Sequence, residues 1–272
     1  MTDEGASLVD ELRAHLTASG IGTGSAVLIH SGISDLLLAH PQVRPSDFSK
    51  AAVAMLKELV GPQGTLMMST DSIRNPREFS YRGLVFDAET MPCRRGAISE
   101  AFRLSDGVLR SRHPWCNATV WGRHAAWLLA EHMESRPFAM DRHSPWFRLL
   151  ELDADIVYVC IRPHVANLCS VMPQHVMGND YPVGCFMDKP VPLQTRMEDG
   201  SIVTFPVQLD VHDWFKDDVI RFTGLIGKRY KLYNRHGGKL CYIYQGRAKA
   251  QFDALMAELA NGHAQPDLRY WA

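Results

Sequence analysis

The chain predicts an α/β fold, a central mixed sheet flanked by helices, with an added antiparallel portion between about Val183 and Tyr244. Two observations carry this. Short apolar runs of strand length (Ala26–Ile29, Thr65–Met68 and Asp155–Ile161) alternate with stretches whose apolar residues recur at helical spacing. That order builds a sheet covered by helices. Beyond Pro182 the pattern changes to short β-prone runs around turn residues, the signature of hairpins. No internal repeat or low-complexity stretch divides the sequence, so residues 1–272 read as a single domain with a β-rich subdomain at about 183–244.

Composition sets the outer bounds. The 272 residues are 46% hydrophobic and 22% charged with a net charge of −1, enough for one sizeable core and without the electrostatic footprint of a nucleic-acid or anionic-membrane binder. No apolar run approaches the roughly 20 residues that cross a bilayer. The acidic start MTDEGASLVDEL lacks the basic residues of a secretory signal, so a cytoplasmic location is expected. Six scattered cysteines without a Cys-x-x-Cys pair read as free thiols. His113 and Cys116 are three apart, but no second pair matches them, and no metal is expected.

In chain order, Leu8, Val9, Leu12 and Leu16 mark an amphipathic helix closed by Gly20. The strand from Ala26 runs into the small-residue turn His30-Ser31-Gly32-Ile33-Ser34, whose backbone can approach a ligand closely. Phe48 to Val60 is a helix capped by Ser46 or Asp47 and ended by Gly61-Pro62. Asp71 lies just past the second strand, where α/β proteins place functional groups, although a loop aspartate also serves as a turn residue. Residues 73–95 read as an irregular lid or binding loop and Gly96–Arg103 as a short helix. The next stretch, Phe102 to Gly122, holds Arg110, Ser111, His113 and Pro114. It reads as too polar for core, with Pro114 displaying its neighbours from a rigid turn. Helices are then expected at Arg123–His132 and after Ser144-Pro145, and a final one from Ala248 to Asn261-Gly262.

Arg110-Ser111-x-His113-Pro114 with Gly122 resembles the signature of the aminoglycoside 3-N-acetyltransferase family. Further likenesses follow in order. His30-Ser31-Gly32-Ile33-Ser34 resembles a family turn with Gly32 in place of serine, and Gly64-Thr65-Leu66-x-Met68 a family strand with Ser69 in place of proline. Phe86-Asp87 with Pro92 and Gly96 also match in spacing, Gly246-x-Ala248 resembles the family's closing helix, and His175 precedes the pair Tyr181-Pro182 at a spacing shorter than the family's.

The resemblance implies an enzyme that transfers acetyl from acetyl-CoA to a primary amine of a small molecule, such as an aminoglycoside, an amino sugar or a related biosynthetic amine. It places the coenzyme against Ser31, Gly32, Ile33 and Ser34 and against Arg110, Ser111, His113 and Pro114. His175 becomes the base, with Asp71 and Asp210 as carboxylates and Asp213 the next match to Asp210. The family glutamate three residues after the histidine is Gly178 here, so Asp180 or a carboxylate from elsewhere must replace it.

Two other readings stay open. One is a coenzyme-binding protein without turnover. The other is a Cys/His-dependent hydrolase drawing on Cys93, Cys116, Cys160 or Cys169 with His113, His164 or His175. The near-neutral charge and the arginines at 74, 77, 82, 94 and 95 suit an amine bearing an anionic group at least as well as a polycationic antibiotic. Self-association as a homodimer is a further open alternative.

Overall fold

The computed structural model describes residues 1–163, 172–180, 186–209 and 226–261. The strands are β1 (Ala26–Ser31), β2 (Thr65–Ser69), β3 (Val85–Phe86), β4 (Leu109–Arg110), β5 (Ala118–Gly122), β6 (Asp155–Val159), β7 (Val191–Arg196), β8 (Ile202–Val207), β9 (Asn234–Gly237) and β10 (Tyr242–Arg247). Seven form one sheet in the order β4-β5-β2-β1-β6-β10-β9. The central three run parallel, β1 pairing β2 and β6, while β5, β4, β10 and β9 complete the sheet antiparallel.

Parallel central strands are buried on both faces, which is why β2 is apolar at every position but its two ends. Alternation assigns each side chain to one helical layer. Val27, Ile29, Leu66, Met68, Val157 and Val159 meet α1 (Asp3–Ala18), α3 (Pro45–Val60) and α5 (Ala97–Arg103). Leu28, Met67, Ile156 and Tyr158 meet α6 (Ala125–Leu129), α7 (Pro145–Glu151) and the last helix, α9 (Ala248–Ala260). In α1, Leu8, Leu12 and Leu16 recur every fourth residue and are buried, each contributing about 1.5–3 kcal/mol by leaving water. Thr2 caps this helix, its hydroxyl accepting from the Gly5 N–H at 3.2 Å.

Several local expectations are met and others corrected. Ser144 caps α7 by accepting from the Phe147 N–H, and Asp199 and Gly200 turn the β7–β8 hairpin. α3 begins at Pro45 with no side-chain cap, so neither Ser46 nor Asp47 plays that part. The helix anticipated at 123–132 shortens to α6, followed by a 3-10 turn at His132–Glu134.

The segment 73–95 is more ordered than its composition suggests. Asn75 caps a short helix, α4 (Pro76–Tyr81), and β3 pairs in parallel with β7. The added β portion divides. β7 and β8 join β3 in a separate three-stranded sheet, whereas β9 and β10 extend the main one. Among the described residues no helix is long and apolar enough to cross a membrane.

Candidate functional site

The carboxyl ends of β1, β2 and β6 lie at one end of the sheet, and the chain leaves β1 toward β2 on one side and toward β6 on the other. A crevice at such a switch point is where open α/β sheets bind ligands. There the turn after β1 is pinned by the Gly32 N–H donating to the Val159 carbonyl at 2.9 Å. A cavity of about 550 Å³ opens beside it, lined by Ser31, Gly32, Ile33 and Ser34, by Leu37 and Leu38 of α2 (Ser34–Ala39), and by Gly96 at the head of α5. A Cβ at position 32 would lie 3.1–3.4 Å from Ile161, so glycine at this point goes with a bulky residue after β6.

Asp71 is buried immediately beyond β2. Its Oδ2 accepts from Ser69 Oγ at 3.0 Å and Arg95 Nε at 2.6 Å, while Oδ1 has no hydrogen-bond partner among the described residues. His30, at the end of β1, stacks on Tyr158 with centroids 5.3 Å apart. Burial, reinforced by Arg95, brings His30 down to about 3, and its Nε2 is likewise without a partner among the described residues. Two buried polar atoms with unused capacity therefore flank the end of β1–β2, where each represents a desolvation cost that a ligand can relieve.

The Arg110-to-Pro114 segment corrects the expectation of a displayed turn. Ser111 and His113 are buried, and none of Arg110, Ser111, His113 and Pro114 lines the cavity at Ser31–Ser34. The reason is that the polar groups there, Arg110 Nε excepted, find internal partners. Arg110 Nη1 donates to the Ala88 and Met91 carbonyls at 3.0 and 2.5 Å. Its Nη2 donates to the Thr70 carbonyl at 2.6 Å, Ser72 Oγ at 2.7 Å and Asn117 Oδ1 at 3.3 Å. One guanidinium thus ties the loop 86–92 to the Thr70 carbonyl and the Ser72 hydroxyl on either side of Asp71.

His113 Nε2 donates to the Ser135 carbonyl at 3.0 Å and Nδ1 accepts from the Trp115 N–H, and burial first of all brings it down to about 4. Ser111 Oγ donates to His132 Nδ1 at 2.6 Å, and His132 Nε2 donates to the Ala139 carbonyl. The two rings stack at 4.4 Å.

His175 lies on α8 (Met172–Met177), buried against Phe138 and Phe186 with centroids 6.4 and 5.3 Å away. Burial, with a smaller push from His113, brings it down to about 3. His113 also feels Asp71, so the three groups share one electrostatic neighbourhood. Gly178 has φ +55°, and a Cβ there would lie 2.7 Å from the Phe138 ring. Phe138 thus fills the space that a side chain at position 178 would need. Asp180 is exposed. Asp210, Asp213, Tyr181 and Pro182 lie outside the described residues, as do His164 and Cys169. Cys93 is pushed up to about 11 by burial, leaving no thiolate there at neutral pH.

Four contributors were not assigned from sequence: His30, Arg95, His132 and Phe138. His30 sat within the turn motif and Arg95 among the loop arginines, so both carried a signal. His132 and Phe138 reach the site only through tertiary folding.

This fold is the one found in solved aminoglycoside acetyltransferases. Residues 28–164, half of the chain, match the family model described as aminoglycoside 3-N-acetyltransferase, and the chain belongs to that family. It is 27% identical over 165 residues to aminoglycoside N(3)-acetyltransferase VII of Streptomyces paromomycinus, a match covering 54% of this chain and 53% of that protein. The chain thus spans about half the length of this curated relative.

Among solved structures, AAC(3)-Xa superposes with a TM-score of 0.76 at 17% identity, over 97% of this chain and 99% of that one. AAC-IIIb in its binary complex with CoASH gives 0.71 at 20%, over 93% and 96%. AAC-VIa bound to sisomicin gives 0.72 at 21%, over 94% and 98%. At these identities the likeness is one of fold.

Proposed function

We propose that the protein transfers an acetyl group from acetyl-CoA to a primary amine of a small molecule. The observation that carries this reading is the cavity on the small-residue turn Ser31–Ser34, which reaches Gly96, the residue after the Arg95 that pairs with Asp71. Family membership and a structural neighbour bound to CoASH support the same assignment.

In the proposed reaction the neutral amine attacks the thioester carbonyl, the C–S bond breaks, the amine proton passes to His175, and the coenzyme leaves as its thiol after taking up a proton. A base must be unprotonated beforehand, and burial keeps His175 neutral at physiological pH; to take the amine proton efficiently it needs a carboxylate of the bound complex to bring it back toward neutral pH. Asp71 Oδ1 is proposed to accept from the substrate amine. Arg110, Ser111 and His113 act as positioning residues, because their polar groups hold backbone and neighbouring side chains. Asp210 is retained as the second carboxylate.

For the acceptor we propose an amine that also bears an anionic group. Of the loop arginines, Arg95 is committed to Asp71 and Arg82 to Glu78, while Arg74, Arg77 and Arg94 are exposed and make no ion pair among the described residues. A thiol-release assay comparing amino-sugar phosphates with kanamycin-type compounds tests this choice. Preferential turnover of the antibiotics refutes the anionic acceptor while leaving acetyl transfer standing.

The reading as a coenzyme-binding protein without turnover is favoured by one observation, the Phe138 ring in the space that a side chain at position 178 would need. Binding of acetyl-CoA with no thiol release for any amine would select it.

A further inference from the structure

On the far side of β6 from β2, α1 crosses the start of β10. Glu11 and His15 are one helical turn apart on α1, with His15 Nε2 3.3 Å from Glu11 Oε1. Cys241, buried at the start of β10, brings its sulfur to them, and the ligand atoms of the three side chains all lie within 4.8 Å of one another. Cys160, directly after β6, lies outside that group of three but adjoins Cys241. Cys160 holds a left-handed backbone at φ +52°. Such a conformation costs a non-glycine residue about 1–3 kcal/mol and tends to persist at functional sites. Gly237 completes the setting, since a Cβ there would lie 2.7 Å from His15 Nε2.

We propose that Glu11, His15, Cys241 and Cys160 form a zinc site that ties α1 to β6 and to the β9–β10 hairpin. Zinc takes thiolate, imidazole and carboxylate ligands at about 2.0–2.3 Å, which sets neighbouring ligand atoms of a tetrahedron about 3.3–3.8 Å apart. For Glu11, His15 and Cys241, closing from a 4.8 Å limit to that spacing takes side-chain movements of about an ångström, and Cys160 follows from its place beside Cys241. Borderline-soft nitrogen and sulfur donors favour zinc over magnesium or calcium. On binding, the two thiols lose their protons to solvent, and no change of oxidation state is involved. The site is independent of the acetyl-transfer reading and involves none of its residues.

The test is titration of the reduced, metal-free full chain with cobalt(II) and then zinc. The expected result is a thiolate-to-cobalt charge-transfer band with the intense visible bands of a tetrahedral site, displaced by one equivalent of zinc, together with a higher unfolding temperature in zinc. Cys241→Ser should abolish the charge-transfer band, and His15→Ala should weaken zinc binding by roughly 10–100-fold. Glu11→Gln, at an exposed position that folding tolerates, should weaken it measurably, and Cys93→Ser should leave it unchanged. Failure of the reduced protein to bind zinc, or zinc binding indifferent to Cys241→Ser and Glu11→Gln, overturns the proposal. A Cys160–Cys241 disulfide in a protein that binds no zinc after reduction overturns it equally.

Discussion

Gly178 stands where the sequence resemblance puts a glutamate, and replacing it by alanine measures the room left for a side chain there. A non-glycine residue at φ +55° costs about 1–2 kcal/mol from backbone sterics alone. The new Cβ would then meet the Phe138 ring at 2.7 and 3.0 Å, and that ring is itself held by Phe186 at a centroid distance of 4.8 Å. Relieving such an overlap in a packed site adds about 1–3 kcal/mol, so Gly178→Ala should destabilise the protein by about 2–5 kcal/mol. In a Phe138→Ala background only the backbone cost remains, which predicts a coupling of about 1–3 kcal/mol in a double-mutant cycle. Urea unfolding of the four proteins supplies the numbers. A single Gly178→Ala cost below about 0.5 kcal/mol, or additivity in the cycle, would refute the claim that Phe138 fills the space a side chain at position 178 would need.

Three other outcomes follow from the site. Arg110→Lys keeps the charge but loses the fork that serves five acceptors, and urea unfolding should register a loss of about 2–4 kcal/mol; a neutral result would mean that the clamp on the 86–92 loop is idle. Gly32→Ser should lower coenzyme affinity in calorimetric titration by pushing on Ile161, and Ile161→Ala should restore it; no rescue would mean that the serine acts some other way. His30, His113 and His175 are brought down from 6.5 to about 3–4, and His132 well below 6.5, so unfolding at mildly acidic pH takes up protons. Thermal unfolding should then be insensitive to pH above about 7.5 and lose up to about 1.4 kcal/mol per pH unit per histidine as pH falls below 6.5, whereas a stability rising on acidification would contradict their burial in neutral form.

The fold was legible because its logic is local. Apolar runs such as Leu66–Met68 and the four-residue spacing of Leu8, Leu12 and Leu16 name strand and helix without reference to the rest of the chain. The division of the β-rich segment was not legible, because which sheet a hairpin joins depends on partners far away in sequence, β3 for β7 and β6 for β10. For the site, Ser31–Ser34 and Asp71 stand out through their positions after β1 and β2. The polar run around His113 misled for a physical reason: polarity predicts exposure only when the groups lack internal partners, and carbonyls of Ser135 and Ala139 supply them here. Glu11 and His15 are one helical turn apart, but nothing in the sequence joins them to Cys241, which only the packing of α1 against β10 brings beside them.

The most direct test of the central claim is thiol release from acetyl-CoA across a panel of small amines, run on the wild-type protein and on His175→Gln. The account predicts amine-dependent turnover by the wild type. In the variant it predicts a kcat lower by roughly 10²-fold or more with coenzyme affinity nearly unchanged, because the lost group acts in proton transfer. Full activity in His175→Gln would contradict the assignment of the base, and a wild-type protein that binds acetyl-CoA yet releases no thiol with any amine would contradict acetyl transfer itself.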